Sequence, residues 1–344
     1  MNESDPEISF DEKGICNHCR QYIDYEKKRI LEKQNLQWVY HSMRRSGKGK
    51  KYDCLLGLSG GVDSSLCLYY LVENGIRPLC FSVDNGWNTP ESDENIMRLV
   101  EGMKVPFYRY VLDLKVFKEL QEAFIESGTA NIEIPTDHVL TAASYEIANK
   151  YGIKHIISGG NWSTESIMPP AWGYQPRDLT FINTIYKEFI GKKLKGLPTF
   201  SLIQYLINRF IKKVKVINLL DYYEYNRQEA KNLLNEKYGY KDYGEKHCEN
   251  VFTKWFQNYW LPYLHGIDKR YAHYSSLINS GQMKRDEASV KIQEPLEFPK
   301  IDIGRIVDGL YSGYFTRRSY KDFKNSEYWW NKLSKIYAAF SKRT

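Results

Sequence analysis

The sequence has no run of about 18 apolar residues, so no membrane-spanning helix is expected. Its first six residues are polar and acidic and lack the apolar core of a secretory signal peptide. Cysteine is scarce, with 6 residues in the chain. Cys54, Cys67 and Cys80 fall in apolar segments, which predicts buried thiols rather than disulfides. We therefore expect a reduced, cytoplasmic protein.

The overall composition is that of a globular protein, with 42% hydrophobic and 26% charged residues. A length of 344 residues allows one large α/β domain and a second lobe. The net charge of +7 suits an anionic ligand such as a nucleotide, a nucleotide-sugar or RNA, without choosing among them. Aromatic residues reach 15% and lie mostly in the second half, which predicts an aromatic-rich lobe there.

Strand and helix patterns alternate in the middle of the chain. Short apolar runs predict strands at 53–58, 78–84, 105–111 and 155–158, and helical spacing predicts helices at 62–72, 91–103, 114–127 and 138–151. This alternation predicts an α/β fold with a parallel sheet. A charged helix is predicted over 21–45, before a basic linker. After about residue 180 the patterns predict helices alone, at 181–190, 202–214, 227–238, 251–260, 267–280, 284–292 and from 326.

Residues 59–65, Ser-Gly-Gly-Val-Asp-Ser-Ser, follow a predicted buried strand and open a helix. Gly60 and Gly61 allow the backbone to approach a ligand, and the helix N-terminus favours an anion. Asp63 would repel phosphates unless Mg²⁺ lies between them, because hard cations bind carboxylate and phosphate oxygens together. The alternative is a capped turn in which Asp63 serves the helix dipole. The segment has neither the Walker A nor the Rossmann glycine spacing.

This segment resembles the PP-loop of ATP pyrophosphatases, found in GMP synthetase, argininosuccinate synthetase, asparagine synthetase and tRNA-thiolating enzymes. The resemblance implies an adenine-nucleotide α-hydrolase-like fold, called HUP, and cleavage of ATP between its α and β phosphates. It implies that Val83 and Asp84 face the adenine and ribose. Pyrophosphate and Mg²⁺ would be held by Ser59, Gly60, Gly61, Asp63, Ser64 and Ser65, with Ser59, Asp63 and Ser65 as catalytic residues.

Further motifs resemble the N-acetyl sugar amidotransferases of the WbpG/PseA type, which serve bacterial surface-polysaccharide or nonulosonic acid assembly. They lie at 4–6, 14–19, 59–65, 84–87, 246–249, 252–253, 266–270 and 272–273. The resemblance implies that ATP adenylates the carbonyl oxygen of an acetamido group on a nucleotide-activated sugar. Ammonia then displaces AMP and gives an acetamidino sugar. We expect an N-terminal CxxC segment at 1–50, a PP-loop domain at 51–178 and a helical substrate or partner lobe at 179–344.

None of the cysteines lies in a recognisable glutaminase nucleophile context, so the resemblance implies that a separate subunit supplies the ammonia. Similar systems use subunits that resemble the two halves of imidazole-glycerol-phosphate synthase, one HisH-like and one HisF-like. We expect no nucleic-acid partner.

The pair Cys16 and Cys19 has the spacing of two zinc ligands, whereas a structural zinc usually takes four. Similar proteins carry a second CxxC just upstream, and this chain has none. His247 and Cys248 are candidates to complete the set. The alternative is a pair of thiols without metal.

The other candidates also have a structural alternative. Gly160 and Asn161 follow a predicted strand, so Asn161 either contacts ATP or the reacting amide, or forms a turn. The resemblance makes substrate candidates of His247 and Glu249, which otherwise cap a helix. Lys269 and Arg270 suit a diphosphate or carboxylate, or form a solvated charge cluster.

Two other functions stay open. A tRNA-modifying PP-loop enzyme, of the thiolation or lysidine type, predicts a dense basic face and often a catalytic cysteine in the sheet domain. Here Lys and Arg are scattered, and Cys67 lies in a predicted helix. A nucleotide sensor would bind ATP without releasing pyrophosphate.

Overall fold

A computed structural model describes residues 1–33, 35–244, 249–301 and 316–341, without the side chains of 28–33 and 336–341. The chain begins with two helices, α1 (Asn17–Lys33) and α2 (Leu36–Gly47). The single helix predicted over 21–45 is therefore two helices.

The described strands form a parallel sheet in the order β3-β2-β1-β4-β5. Their bounds are β1 (Cys54–Gly57), β2 (Pro78–Asp84), β3 (Phe107–Val111), β4 (His155–Ser158) and β5 (Lys215–Asn218). The predicted α/β class and the four predicted strands are confirmed. The strand order reverses between β1 and β4. Doubly wound sheets bind ligands at such a position, next to the carboxyl ends of the strands.

Strand β5 was not predicted. It pairs with β4 from His155 opposite Lys215 to Ser158 opposite Asn218, at the edge of the sheet. Three of its four residues are exposed, so it lacks the apolar run of a buried strand. Because β5 lies beyond residue 178, the sheet extends past the expected end of the PP-loop domain.

The crossovers are helical and cover both faces of the sheet. They are α3 (Val62–Glu73), α4 (Pro90–Gly102), α5 (Leu114–Glu126) and α6 (Ile134–Lys150). Helices α3 and α4 contribute to one apolar cluster with Leu56 and Cys80, while α6 packs on the opposite face against Leu55 and Ile156. This packing leaves the carboxyl ends of the strands, and the N-termini of α3 and α6, facing the second lobe.

The rest of the chain is mostly helical, as predicted. Its helices are α7 (Trp162–Glu165), α8 (Leu179–Ile190), α9 (Leu202–Leu206), α10 (Arg227–Tyr238), α11 (Val251–Trp255), α12 (Arg270–Asn279), α13 (Arg285–Lys291) and α14 (Glu327–Ser341). Helices α9 and α11 continue into π-helical segments, Ile207–Ile211 and Phe256–His265. The predicted aromatic core is present, with Trp255, Trp260 and Phe252 fully buried. Among the described helices, none has the length and apolar character needed to cross a bilayer.

Candidate functional site

The loop between β1 and α3 forms a tight turn at the carboxyl end of the central strand. Gly60 adopts a φ of +79°, and a Cβ atom there would collide with the carbonyl oxygen of Ser92. The Ser65 hydroxyl donates to the Gly61 carbonyl oxygen at 2.7 Å, and the Ser59 and Ser64 hydroxyls lie 3.2 Å apart. These bonds fix the loop so that the N-terminus of α3 faces a cleft of about 210 Å³.

A second loop, after β4, closes on the first. A Cβ atom at Gly159 would lie 2.9 Å from the Ser64 amide nitrogen, so this approach requires glycine. The Oδ1 atom of Asn161 accepts the Thr164 amide hydrogen at 2.9 Å and caps α7. The two predicted loops, 59–65 and 159–161, therefore meet where the strand order reverses.

Asp63 is held by two neutral donors. Asn161 donates its side-chain amide to Asp63 Oδ2 at 3.2 Å, and the Tyr225 hydroxyl donates to Asp63 Oδ1. Burial, followed by the charge of Asp63, raises the pKa of Tyr225, which keeps its proton. Asn161 thus both caps a helix and contacts Asp63.

The cleft beside the loop gathers charged and polar groups from distant segments. Its lining includes Ser59, Gly61, Asp63, Ser64, Gly159, Glu165, Arg227, Tyr243 and Glu249. The Tyr243 hydroxyl lies 3.5 Å from Glu249 Oε2. The Nε atom of Arg227 is buried and has no hydrogen-bond partner within the described ranges. A cation with an unused donor suits an anionic ligand at this position.

A larger cavity, about 1440 Å³, extends from Ser59 across the end of β2 toward α12. Val83 and Ser82 line it, and the buried Ser82 hydroxyl lacks a hydrogen-bond partner among the described residues. The Asp84 carboxylate accepts the Gly86 amide hydrogen at 3.1 Å and so holds its own turn. Its predicted contact with a ribose stays a prediction.

The far part of this cavity contains two acids that were not predicted, Glu133 and Asp137, at the start of α6. Thr253 donates its hydroxyl to Glu133 Oε1 at 2.7 Å. Burial, with a smaller effect of the Asp137 charge, raises the pKa of Glu133 to about 8 against the opposing effects of Thr253 and Lys269. Burial also raises the pKa of Asp137 to about 6, while the charge of Lys269 opposes this shift.

The predicted substrate residues in α12 and before it differ in their surroundings. Lys269 lines the large cavity. Arg270 donates to the Asp268 carboxylate at 2.8 Å and to the carbonyl oxygens of Glu294 and Ile292 at 2.8 and 3.2 Å. Its guanidinium thus ties α12 to the end of α13, and its predicted contact with a diphosphate stays a prediction. His247 lies outside the described residues, whereas Glu249 lines both cavities.

The Cys16 and Cys19 sulfur atoms lie 3.4 Å apart. Burial, followed by the hydrogen bond between the two thiols, raises the pKa of Cys19. The neighbouring His18 is bound to Asp5 at 2.6 Å. Within the described part of the chain, no group of three or more His, Cys, Asp and Glu side chains suits a metal. Two thiols do not fit the four-ligand set of a structural zinc, and His247 and Cys248 lie outside that part.

Magnesium has different requirements. It commonly takes one or two carboxylates, with water and substrate phosphates as its other ligands. Asp63 supplies such a carboxylate beside a helix N-terminus, and Glu165 and Glu249 line the same cleft. The chemistry of these donors fits Mg²⁺ held jointly with a phosphate.

Comparison with known proteins identifies a family match in the C-terminal part of the chain. Residues 249–337 match the family described as LPS biosynthesis protein WbpG-like, C-terminal domain. An uncharacterized protein of Methanocaldococcus jannaschii is 26% identical over 156 residues, or 44% of this chain and 53% of that protein. The aligned region thus spans about half the length of that relative.

Solved structures with some likeness are NMN synthetase from Francisella tularensis and NH3-dependent NAD synthetase from Campylobacter jejuni, 16% and 12% identical, with TM-scores of 0.31 and 0.32. These matches cover 69% and 73% of this chain, and 93% and 97% of theirs. A U34-tRNA thiolase from Methanococcus maripaludis is 14% identical with a TM-score of 0.36, covering 82% of this chain and 85% of its own. TM-scores this low support no inference about activity.

Proposed function

We propose that this chain has an ATP-dependent amidotransferase activity on an acetamido sugar. The match of residues 249–337 to the WbpG-like C-terminal domain supports this proposal. ATP adenylates the amide oxygen, and ammonia then displaces AMP to give an acetamidino sugar. One observation carries this proposal. The helix N-terminus with Asp63 faces a cleft that shares Ser59 and Glu249 with a cavity reaching Glu133 and Lys269.

The phosphates of ATP bind at the 59–65 loop in this proposal. The amides at the start of α3 and the hydroxyls of Ser59 and Ser64 supply donors, and the helix dipole adds a favourable field. Arg227 adds a positive charge and a buried donor in the same cleft. The site therefore offers charge as well as hydrogen bonds to departing pyrophosphate.

Asp63, together with Glu165 or Glu249, would hold Mg²⁺ at this site. When bound, the ion neutralises phosphate charge as the α–β bond breaks. Tyr225 and Asn161 orient the Asp63 carboxylate toward this task. The base and ribose of ATP then lie along the end of β2, where Val83 and the buried Ser82 hydroxyl line the cavity.

Adenylation solves the problem of the leaving group. An amide oxygen leaves poorly, whereas AMP carries that oxygen away once the oxygen–phosphorus bond has formed. Ammonia adds to the amide carbon, the carbon–oxygen bond breaks, and the product is an amidine with AMP. Because ammonium is not a nucleophile, one proton must first leave it.

Glu133 is the group that we propose takes this proton. It is buried at the far part of the cavity, fixed by Thr253 at 2.7 Å, and its raised pKa makes it an effective base near neutral pH. Its carboxylate form and that of Asp137 also attract an ammonium ion. Lys269, which lines the same cavity, suits an anionic group of the sugar nucleotide.

The ammonia itself comes from a glutaminase partner in this proposal. Cys16, Cys54, Cys67 and Cys80 are buried, Cys19 is half-buried with a pKa that burial raises, and Cys248 lies outside the described residues. Burial raises the pKa of Cys80 to about 12 and that of Cys67 well above its ordinary value, so neither suits nucleophilic chemistry. The same burial argues against a thiolating cysteine in the sheet. We further propose that residues 51–178 and β5 bind ATP together with Arg227 and Glu249, and that the other helices after 179 hold the acceptor.

The test combines the purified chain with ATP, Mg²⁺, a high ammonium concentration and a panel of diacetamido nucleotide-sugars and CMP-nonulosonic acids. We expect AMP and pyrophosphate only with the correct sugar, together with a loss of about one mass unit from that sugar as NH replaces O. A parallel incubation with ATP and tRNA should yield no AMP. Unchanged sugars across the panel, or AMP formed with tRNA, would contradict the proposal.

The Glu133 assignment has its own test. Glu133→Gln should retain pyrophosphate exchange into ATP, because adenylation precedes the attack of ammonia. Its rate of amidine formation should fall about 100-fold at neutral pH. Glu94→Gln, an exposed acid paired with Lys241, is the matched control and should behave as the unmodified chain. Loss of pyrophosphate exchange in Glu133→Gln would assign Glu133 to adenylation or folding instead.

A further inference from the structure

Helix α9 and the π-helical turn after it present large apolar side chains to solvent. Ile203, Ile207, Phe210 and Ile211 are exposed, with Ile203 at 68%, Phe210 at 59% and Ile211 at 74%. Their spacing of i, i+4, i+7 and i+8 puts them on one helical face. We call this face, together with exposed Lys212, Lys213 and Lys215, the Phe210 surface.

The inner side of this helix is formed by other residues. Asn208 is buried, accepts a hydrogen bond from Asn149 at 2.9 Å and donates to the Gln204 carbonyl at 2.8 Å, while the Tyr205 ring packs against Phe200 and Trp330. The exposed apolar stripe takes no part in these contacts. A contiguous exposed apolar stripe marks an interaction site more often than a random surface.

The charged residues that follow the apolar stripe in the sequence are all basic. Lys212, Lys213 and Lys215 follow it directly, and Lys154 donates to the Lys212 carbonyl oxygen at 2.7 Å. Burial, with the nearby charges of Lys50 and Lys212, lowers the pKa of Lys154. The Lys215 ammonium lies 5.5 Å from the centre of the Trp38 ring, which is 60% exposed and extends the apolar area.

We propose that the Phe210 surface docks on an anionic lipid bilayer. Isoleucine and aromatic side chains enter the boundary of headgroups and acyl chains, while flanking lysines contact anionic headgroups. Lysine is depleted in protein–protein interfaces, so three lysines beside the stripe favour a lipid surface over a protein partner. This inference does not depend on the proposed reaction, because none of these residues lies at the 59–65 loop.

The test is co-sedimentation of the full chain with vesicles of phosphatidylglycerol and phosphatidylcholine, compared with phosphatidylcholine alone. We expect binding to the anionic vesicles that weakens with added salt. The variant Lys212→Glu/Lys215→Glu should bind about 10-fold more weakly or worse, and Phe210→Ser/Ile211→Ser should lose most binding. Both should unfold at the same temperature as the unmodified chain, because these side chains are exposed.

Two matched controls separate this surface from general effects. Lys187→Glu/Lys195→Glu makes the same change in charge at exposed sites elsewhere, and Val290→Ser removes another exposed apolar side chain, at 68% exposure. Both controls should bind anionic vesicles as the unmodified chain does. Absence of binding by the unmodified chain, or equal binding by the surface variants and controls, would overturn the proposal. Self-association that disappears with Phe210→Ser/Ile211→Ser, without vesicle binding, would assign the surface to a second copy of the chain.

Discussion

The Tyr225 hydroxyl donates a hydrogen bond to the Asp63 carboxylate, joining the segment before α10 to the first turn of α3. Asn161 donates to the other carboxylate oxygen at 3.2 Å. Both donors are neutral, so these two hydrogen bonds orient the carboxylate without adding a positive charge of their own.

Replacing Asp63 itself should abolish the reaction. We expect Asp63→Ala to lower AMP formation at least about 100-fold, because the phosphates lose their metal-binding carboxylate. The measurement is AMP released under saturating ATP and Mg²⁺. Asp242→Ala, a solvent-facing acid paired with Lys231, is the control. Normal turnover by Asp63→Ala would overturn the Mg²⁺ assignment.

Tyr225→Phe removes one hydrogen bond and leaves the ring in place. We expect pyrophosphate exchange into ATP to fall about 10-fold, because a hydrogen bond to a charged group contributes about 1.5–3 kcal/mol. The Mg²⁺ concentration for half-maximal rate should rise, which a role in packing alone would not cause. Tyr186→Phe also removes a tyrosine–carboxylate bond, at 2.8 Å to Glu119, and should leave both values unchanged.

Arg227→Met tests the half-buried guanidinium in the cleft. Loss of its charge and its buried Nε donor should raise the KM for ATP about 10-fold. The affinity for adenosine, which has no phosphates, should not change. Arg98→Met removes an arginine from an exposed ion pair with Glu94 and serves as the control. If both variants changed the KM for ATP equally, Arg227 would have no specific role with phosphate.

The parts of the site that could be predicted are local in sequence. Residues 59–65 and 160–161 follow buried strands, and parallel strands bring such loops to one edge of the sheet. Strand β5 was missed because three of its four residues are exposed, which removes the apolar pattern. Only the pairing with β4 in the structure identifies residues 215–218 as a strand.

Tyr225, Arg227 and Glu133 could not be predicted from local pattern. Tyr225 meets Asp63 across 162 positions of sequence, and Thr253 meets Glu133 across 120. In the sequence, a single tyrosine, or a Glu followed four residues later by an Asp, is common on the surface of any helix. Only the folded chain shows that Asp63 lies beside Tyr225 and that Thr253 lies beside Glu133. Arg270 was a candidate because of its charge, and the fold adds backbone carbonyl partners that the sequence could not indicate, while its contact with a diphosphate stays a prediction.

The buried acid Glu133 should make stability depend on pH. Its pKa is raised from an ordinary 4.5 to about 8, so its contribution to stability is fully present below about pH 4.5 and is lost as pH rises through 8. Glu133→Gln should therefore unfold at a higher urea concentration than the unmodified chain at pH 8, by on the order of 3 kcal/mol. At pH 4.5 the two should differ little. Glu94→Gln should not show this dependence, and an equal pH response of both variants would contradict the burial of a neutral Glu133.

Gly60 and Gly75 share a backbone conformation but differ in what surrounds them. Gly60 and Gly75 have φ values of +79° and +65°, so alanine is strained at both. A Cβ atom at Gly60 meets the Ser92 carbonyl group, whereas at Gly75 nothing lies within 4 Å. Gly75→Ala should destabilise the chain by about 1 kcal/mol in urea unfolding, and Gly60→Ala by clearly more. Because the added clash displaces the loop, Gly60→Ala should also lose pyrophosphate exchange while Gly75→Ala retains it. Equal losses of stability would mean that the loop can move away from Ser92, and the tight packing of the phosphate site would then not be required.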